Sequence, residues 1–427
     1  MRIIRFDEES YQKETQAVIH RLEMDFATQD ATVQAILQDV KEKGDEALLE
    51  YTRKFDGHTG SLQDLRVTPE EIKTAYSKMS AEEIDALKIA AENIRSFHEK
   101  QKQESWEYSL DGIRLGQKVS PLRTAGIYVP GGKASYPSSV LMNAIPAKVA
   151  GVERIVMCTP CPGGQPSWHA LVAADLAGVD EIYKVGGAQA IGAMAFGSTL
   201  VPRVDKIVGP GNIFVALAKR MVFGIVGIDM VAGPSEILIV ADDTANPEYI
   251  AADLLSQAEH DEEAVSILTT PSQALAEAAL EAVNRQKERL KRGAIVDASL
   301  KNQCRLFVTE SLEAAVQLAD EIAPEHLELA VDDPVAWAAK INNAGAIFMG
   351  HYTPEAIGDY LAGPNHVLPT SGTARFSSPL GVYDFIKRTS LITYSQEALQ
   401  RASGTVQCLA DMENLDAHAN AVKVRLK

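Results

Sequence analysis

The 427-residue chain has little of several things, and each shortage excludes something. Four cysteines, Cys158, Cys161, Cys304 and Cys408, are too few for a disulfide framework in so long a chain, which points to a reducing cytoplasm. Positive charge is scarce: 41 Lys and Arg against 58 Asp and Glu give a formal net charge of -17. No broad nucleic-acid footprint or adhesion to anionic membranes is expected from that balance. The most apolar stretch, residues 222–241, is interrupted by Asp229, Pro234, Ser235 and Glu236, so it does not read as a membrane span. The first ten residues have no apolar core of the secretory type, and no signal peptide is expected. Neither a G-x-G-x-x-G turn before a helix nor a P-loop is present. What remains is an ordinary globular composition, 46% hydrophobic and 23% charged, long enough for two or more domains.

Residues from about 10 to 105 are strongly charged with a helical period, seen in 31–55 and 81–100, and they are broken by the turn cluster at 56–60. The texture changes near Arg123. Short β-rich runs at 125–129, 154–158, 181–185 and 206–208 alternate with helical stretches. A second set follows at 236–240, 265–269, 305–308 and 345–349. This alternation predicts βαβ units and parallel sheets, divided into two α/β units near residue 235. The segment 381–427 reads as two helices with no sheet of its own, needing a surface to pack on, in this chain or in a partner.

Three glycine turns lie where strands end: Tyr128 to Gly132, Gly186-Gly187-Ala188-Gln189, and Gly209-Pro210-Gly211-Asn212. Ligands of open α/β sheets bind beyond the carboxyl ends of strands, so three such turns suggest a nucleotide site. They equally suit plain βα connections. Gln257 and His260, three apart at the end of an amphipathic run, share one helix face and could form half a metal site or a solvated helix end. Pro324-Glu325-His326 follows a helical stretch, and beyond the proline both side chains could sit on a loop and address one site as an acid–base pair, or be a helix-start Glu beside a surface His. Asp359 lies in a glycine-broken stretch, as ligand or turn residue, and Glu413 and His418 lie in a charged, helix-like tail. Cys158-Thr159-Pro160-Cys161 has C-x-x-C spacing, but a structural zinc site needs two more ligands, and incidental cysteines fit better.

In order and over essentially its whole length, the chain resembles the histidinol dehydrogenase family. The resemblance is carried by Tyr128-Val129-Pro130-Gly131-Gly132, residues 185–191, Gly209-Pro210-Gly211-Asn212, Ala232-Gly233-Pro234-Ser235-Glu236, residues 254–260, Ala323-Pro324-Glu325-His326-Leu327 and residues 376–381. It implies two incomplete Rossmann-like parallel-sheet domains with small helical extensions at both ends. The implied boundaries are 1–25 for the N-terminal extension, 26–125 with 235–380 for the unit carrying most zinc and catalytic residues, 126–234 for NAD, and 381–427 for a tail intertwined with a partner subunit. Gln257, His260, Asp359 and His418 match the zinc ligands, and Glu325 and His326 the catalytic pair. Tyr128, Gln189 and Asn212 match NAD contacts. Ser235 and Glu413, with Gln257, His260, His326, Asp359 and His418, match substrate contacts. The implied activity is a homodimeric, cytoplasmic, zinc- and NAD-dependent oxidation of L-histidinol to L-histidine by two hydride transfers through bound L-histidinaldehyde, the last step of histidine biosynthesis. Relatives on the same scaffold oxidise other small alcohols, such as a sulfopropanediol. A zinc hydrolase with the same ligands is a further alternative, against which the three nucleotide-type turns count.

Overall fold

A strand buried on both faces carries a near-continuous apolar run, and Glu236–Ala241 shows it from Ile237 onward, with all six residues buried. A computed structural model describes residues 1–21, 27–131 and 136–426. Gly132 of the first glycine turn and the boundary expected at 25/26 lie outside the described residues. The Glu236–Ala241 strand sits inside a six-stranded parallel sheet, whose order is Ile3–Arg5, Arg305–Val308, Val265–Thr270, Glu236–Ala241, His326–Ala330, Ala346–Met349. Side chains alternate across it with period 2. Ile237, Ile239 and Leu268 join a cluster with Ile250, Leu254 and Leu255 of the helix Pro247–Ala258. Leu238, Val240 and Leu327 pack on the other face with Val316 and Ile322 of the helix Leu312–Ile322.

The second sheet has five parallel strands in the order Glu181–Tyr183, Arg154–Cys158, Thr124–Tyr128, Lys206–Val208, Gly227–Ile228. Ala125, Ile127, Ile155 and Met157 pack with Val140, Leu141 and Ile145 of the helix Pro137–Ala150 on one face. Tyr128, Val156, Cys158 and Tyr183 pack on the other face with Ile191 and Met194 of the helix Gly187–Phe196. The N-terminal helices Ala27–Lys43, Asp45–Asp56 and Ala81–Glu99, which the sequence reading groups with 235–380, contribute to the cores of this five-stranded sheet.

Two parallel sheets flanked by helices agree with the fold class read from the sequence. Two expectations are corrected. The tail does have a strand: Ile386–Tyr394 pairs antiparallel with Ile113–Pro121, which also pairs with Trp106–Leu110. The strand escaped because it is not a half-buried strand: all of it beyond Ile386 is exposed, so no alternation marks it. Its neighbours turn at Asp111-Gly112, both with positive φ, the signal of a two-residue hairpin. The second correction concerns His326. It opens a strand in the interior of the six-stranded sheet and does not lie on a loop.

Candidate active site

Ser235, Glu236, Glu325 and His326 lie at the amino ends of neighbouring strands, because Glu236–Ala241 and His326–Ala330 run parallel and in register. The helix Pro247–Ala258 returns antiparallel to its strand, so its carboxyl end, with Gln257 and then His260, arrives at the same edge. The backbone of Glu236 is used twice. Its N–H donates to Glu325 Oε2 at 2.8 Å, and its C=O accepts from His326 Nδ1 at 2.9 Å. With Nδ1 committed as donor, Nε2 keeps its lone pair. It is buried without a partner, 4.0 Å from Asp359 Oδ1. Burial pushes the His326 imidazolium pKa down to about 4, so the ring is neutral at pH 7 and able to take a proton.

Ligand atoms of His260, Glu355 and Asp359 lie within 4.8 Å of one another. Gln257 is fully buried, and both amide atoms lack a partner. An orphaned buried amide costs stability unless something else binds it. An amide oxygen, an imidazole and carboxylates form an N/O donor set that suits zinc. These residues therefore fit a divalent cation. His418 and Glu413 are exposed, and among the described residues the cluster contains neither.

Three participants escaped the sequence reading. Glu355 is buried, with Oε1 3.8 Å from His326 Nδ1 and Oε2 accepting from Ser256 Oγ at 3.2 Å. His366 donates Nδ1–H to the carbonyl of Asp359 at 3.0 Å, and its Nε2 lies 3.4 Å from Ser139 Oγ. Glu236 is the third, and its signal was a carboxylate opening an otherwise apolar strand. Burial, and next the charge of Asp359, lift the Glu355 carboxyl to about 8. Below that value it holds a proton, and a cation beside it favours the ionised form. Adding zinc to metal-free protein is therefore expected to release protons at about pH 7 and fewer at about pH 9. The check is titration calorimetry in buffers of different ionisation enthalpy. Equal proton release at both pH values would count against Glu355 as the source.

The glycine turns cap the five-stranded sheet at its carboxyl ends. Tyr128 Oη accepts from the Gly187 N–H at 3.0 Å. At Gly209, φ is +111°, and a Cβ would stand 2.1 Å from the Tyr128 carbonyl oxygen, so only glycine fits. The Gly209 backbone is held on both sides of its Cα by a buried ion pair: its N–H donates to Asp229 Oδ2 at 2.7 Å and its C=O accepts from Lys219 Nζ at 2.8 Å. Gln189 is buried, and neither amide atom has a partner. Asn212 caps the helix Ile213–Val222, with Oδ1 accepting from Phe214 N and Val215 N. The orphaned Gln189 amide at the carboxyl ends of these strands fits a polar ligand lying over the turns, while Gly209 packs the turn against Tyr128. Cys158 and Cys161 are buried, and burial pushes the Cys161 thiol up to about 12, which leaves it a poor nucleophile.

A family model described as histidinol dehydrogenase matches residues 19–426. The chain belongs to the histidinol dehydrogenase family. It is 54% identical to the histidinol dehydrogenase of Syntrophotalea carbinolica over 428 residues, covering 100% of this chain and 99% of the relative. The same enzyme name belongs to a relative from Geobacter sulfurreducens, 53% identical with both chains covered in full. A crystal structure of histidinol dehydrogenase from Elizabethkingia anophelis superposes with a TM-score of 0.93 at 39% identity, covering 100% of this chain and 98% of that one. Membership makes the chain an oxidoreductase of histidine biosynthesis by family. Among the described residues no helix is long and apolar enough to cross a membrane.

Proposed function

We propose that this protein is a cytoplasmic, zinc- and NAD-dependent oxidoreductase that converts L-histidinol to L-histidine in two successive oxidations through bound L-histidinaldehyde. The observation that carries the proposal is the buried His326 base, its tautomer set by Glu236, standing beside the cluster of His260, Glu355 and Asp359. Gln257, His260 and Asp359 would hold the metal, with His418 supplied by the tail of a second copy. Bound there, zinc would orient the imidazole and amine of histidinol and favour the ionised form of nearby carboxyls. NAD, held by Tyr128, Gln189 and Asn212, would accept the reducing equivalents of each step.

The protein's own groups divide the proton work. His326 Nε2 takes the carbinol proton of histidinol in the first oxidation. Glu325 takes a proton from water as the water oxygen bonds to the aldehyde carbon, giving the ionised hydrate that is oxidised in the second. Burial lifts the Glu325 carboxyl well above its usual range, and the Glu236 N–H opposes that lift by favouring the carboxylate. Ser235 and Glu413 would contact the substrate. Keeping the aldehyde on the enzyme lets one geometry serve both oxidations and prevents its loss to solvent.

A homodimer is part of the proposal. The tail helix Gln396–Met412 exposes Leu409 and Met412, the latter 73% exposed, and the adjoining strand leaves Ile392 70% exposed. Exposed apolar side chains in succession suit a surface that a second copy covers. In this reading residues 126–234 form the NAD unit, 235–380 carry most of the zinc and catalytic residues, and 381–427 reach the partner.

The deciding experiment uses zinc-loaded enzyme with limiting histidinol and excess NAD. About two NADH and one histidine per histidinol are expected, in line with a four-electron oxidation, and chelation should abolish turnover. One NADH with released aldehyde would refute the two-step reading. Turnover of a sulfopropanediol but not histidinol would transfer the scaffold to another alcohol.

A further inference from the structure

Glu236 has a peptide that serves the site and a side chain that the proposed chemistry leaves unused. The residue is 2% exposed at the start of an apolar strand. An ionised carboxylate in such a place needs a partner. Its partner is Arg21, from the N-terminal segment, whose Nε donates to Oε1 at 2.5 Å and Nη2 to Oε2 at 2.7 Å. The remaining terminal nitrogen, Nη1, donates to two carbonyls, Val18 at 2.8 Å and Ile322 at 3.0 Å. Ile322 is the last residue of the helix Leu312–Ile322, and Ala323 and Pro324 alone separate it from Glu325. Ala323 has φ +51°, a turn that sends the chain straight into the catalytic pair.

One guanidinium therefore joins three pieces of chain. One is the N-terminal segment, through Val18. Another is the strand whose first residue, through its N–H and C=O, holds both Glu325 and His326. The third is the helix end that delivers Glu325 and His326. We infer that Arg21 and Glu236 are positioning residues, a bidentate strut that fixes the Glu236 backbone, on both sides of its Cα, against the catalytic pair; the inference rests on the proposed histidinol reaction.

Stability alone does not call for this arrangement, since an apolar pair of similar volume commonly serves a buried position as well as an ion pair does. What the planar fork adds is direction: two parallel bonds set the rotation of the carboxylate, and the strand start that bears it, in a way a point charge does not. The orientation is transmitted because the same residue's N–H and C=O are the contacts of Glu325 and His326. Proton transfer depends on sub-ångström placement of the base, so a loosened strut acts on turnover more than on substrate binding. Loss of the guanidinium also leaves Glu236 as an unpaired anion beside Glu325.

The test uses full-length, zinc-loaded Arg21→Ala, with kcat, both KM values, zinc content and thermal stability measured beside wild type. The expected result is a kcat lower by about 10²-fold with KM for histidinol and NAD within about twofold and zinc retained. Added guanidinium ion, which can refill the vacated space, should recover about tenfold of that loss. A kcat within about twofold of wild type overturns the inference, as does a fall that guanidinium leaves unmoved. If Arg21→Ala does not accumulate as folded protein, Arg21→Lys decides: it keeps the charge without the fork, so kcat about tenfold down with zinc retained supports the strut, and wild-type kcat refutes it. A readout free of substrate is the nitrogen-15 signal of the His326 Nδ1–H, which should shift in either variant and stay in place if the ion pair only anchors the N-terminal segment. Wild-type enzyme that yields no NADH from histidinol is a failure of the functional reading, and this signal still decides the strut.

Discussion

His326→Gln is expected to lower kcat for histidinol by about 10²–10⁴-fold, the usual contribution of a positioned general base, with zinc content unchanged. The Glu236 carbonyl can still accept a hydrogen bond from a glutamine amide, so the strand start is kept while the basic nitrogen is lost. Glu325→Gln should behave differently. It retains an acceptor for the Glu236 N–H but cannot take a proton from water. One NADH per site should form rapidly, followed by a slow phase as the aldehyde waits for hydration. Stopped-flow absorbance resolves the two phases, and offering histidinaldehyde directly isolates the second. Equal loss of both phases in both variants would show that the two residues do not divide the proton work as proposed.

The second large effect concerns the tail. His418→Ala alone is expected to remove zinc and activity, whereas His326→Gln removes activity with zinc retained. Mixed under conditions of subunit exchange, the two inactive proteins should regain activity. A heterodimer unites the intact body of one chain with the intact tail of the other, giving one working site in two. Random pairing then predicts about a quarter of wild-type activity for an equal mixture. A site completed within each chain predicts none, since every copy keeps its own defect. Cutting at residue 381 is a poorer experiment, because it removes Ile386–Tyr394 and unpairs Ile113–Pro121. Point substitutions leave that sheet intact.

Much of the fold was legible because parallel strands buried on both faces read as short apolar runs between helices. The runs at 154–158, 236–240 and 305–308 reappear as strands with nearly the same bounds. The strands that escaped broke that rule. Ile3–Arg5 is three residues long at an edge, and Trp106–Leu110 and Ile386–Tyr394 are almost wholly exposed. Within the candidate site, residues that stand in distinctive motifs were easy to single out, such as Gln257 with His260 and Glu325 with His326. Glu355, which opens the short helix Glu355–Tyr360, and His366 were not, since each is one polar residue whose importance comes from what faces it. The rule placing ligands at the carboxyl ends of strands held for the glycine turns only as a location. Glu325 and His326 lie at the amino edge of the other sheet, where a returning helix ends.

By itself the sequence determined the chemistry available: which residues can bind, donate or accept, and which local elements carry them. Composition and period are local properties, so they survive without knowledge of the fold. Tertiary structure alone decided which groups meet. It set Glu236 O against His326 Nδ1 and left Nε2 unpartnered, stranded the Gln257 and Gln189 amides without partners, and brought Arg21 across 215 residues to Glu236. Such meetings follow from strand register and helix direction, which no short window of sequence encodes.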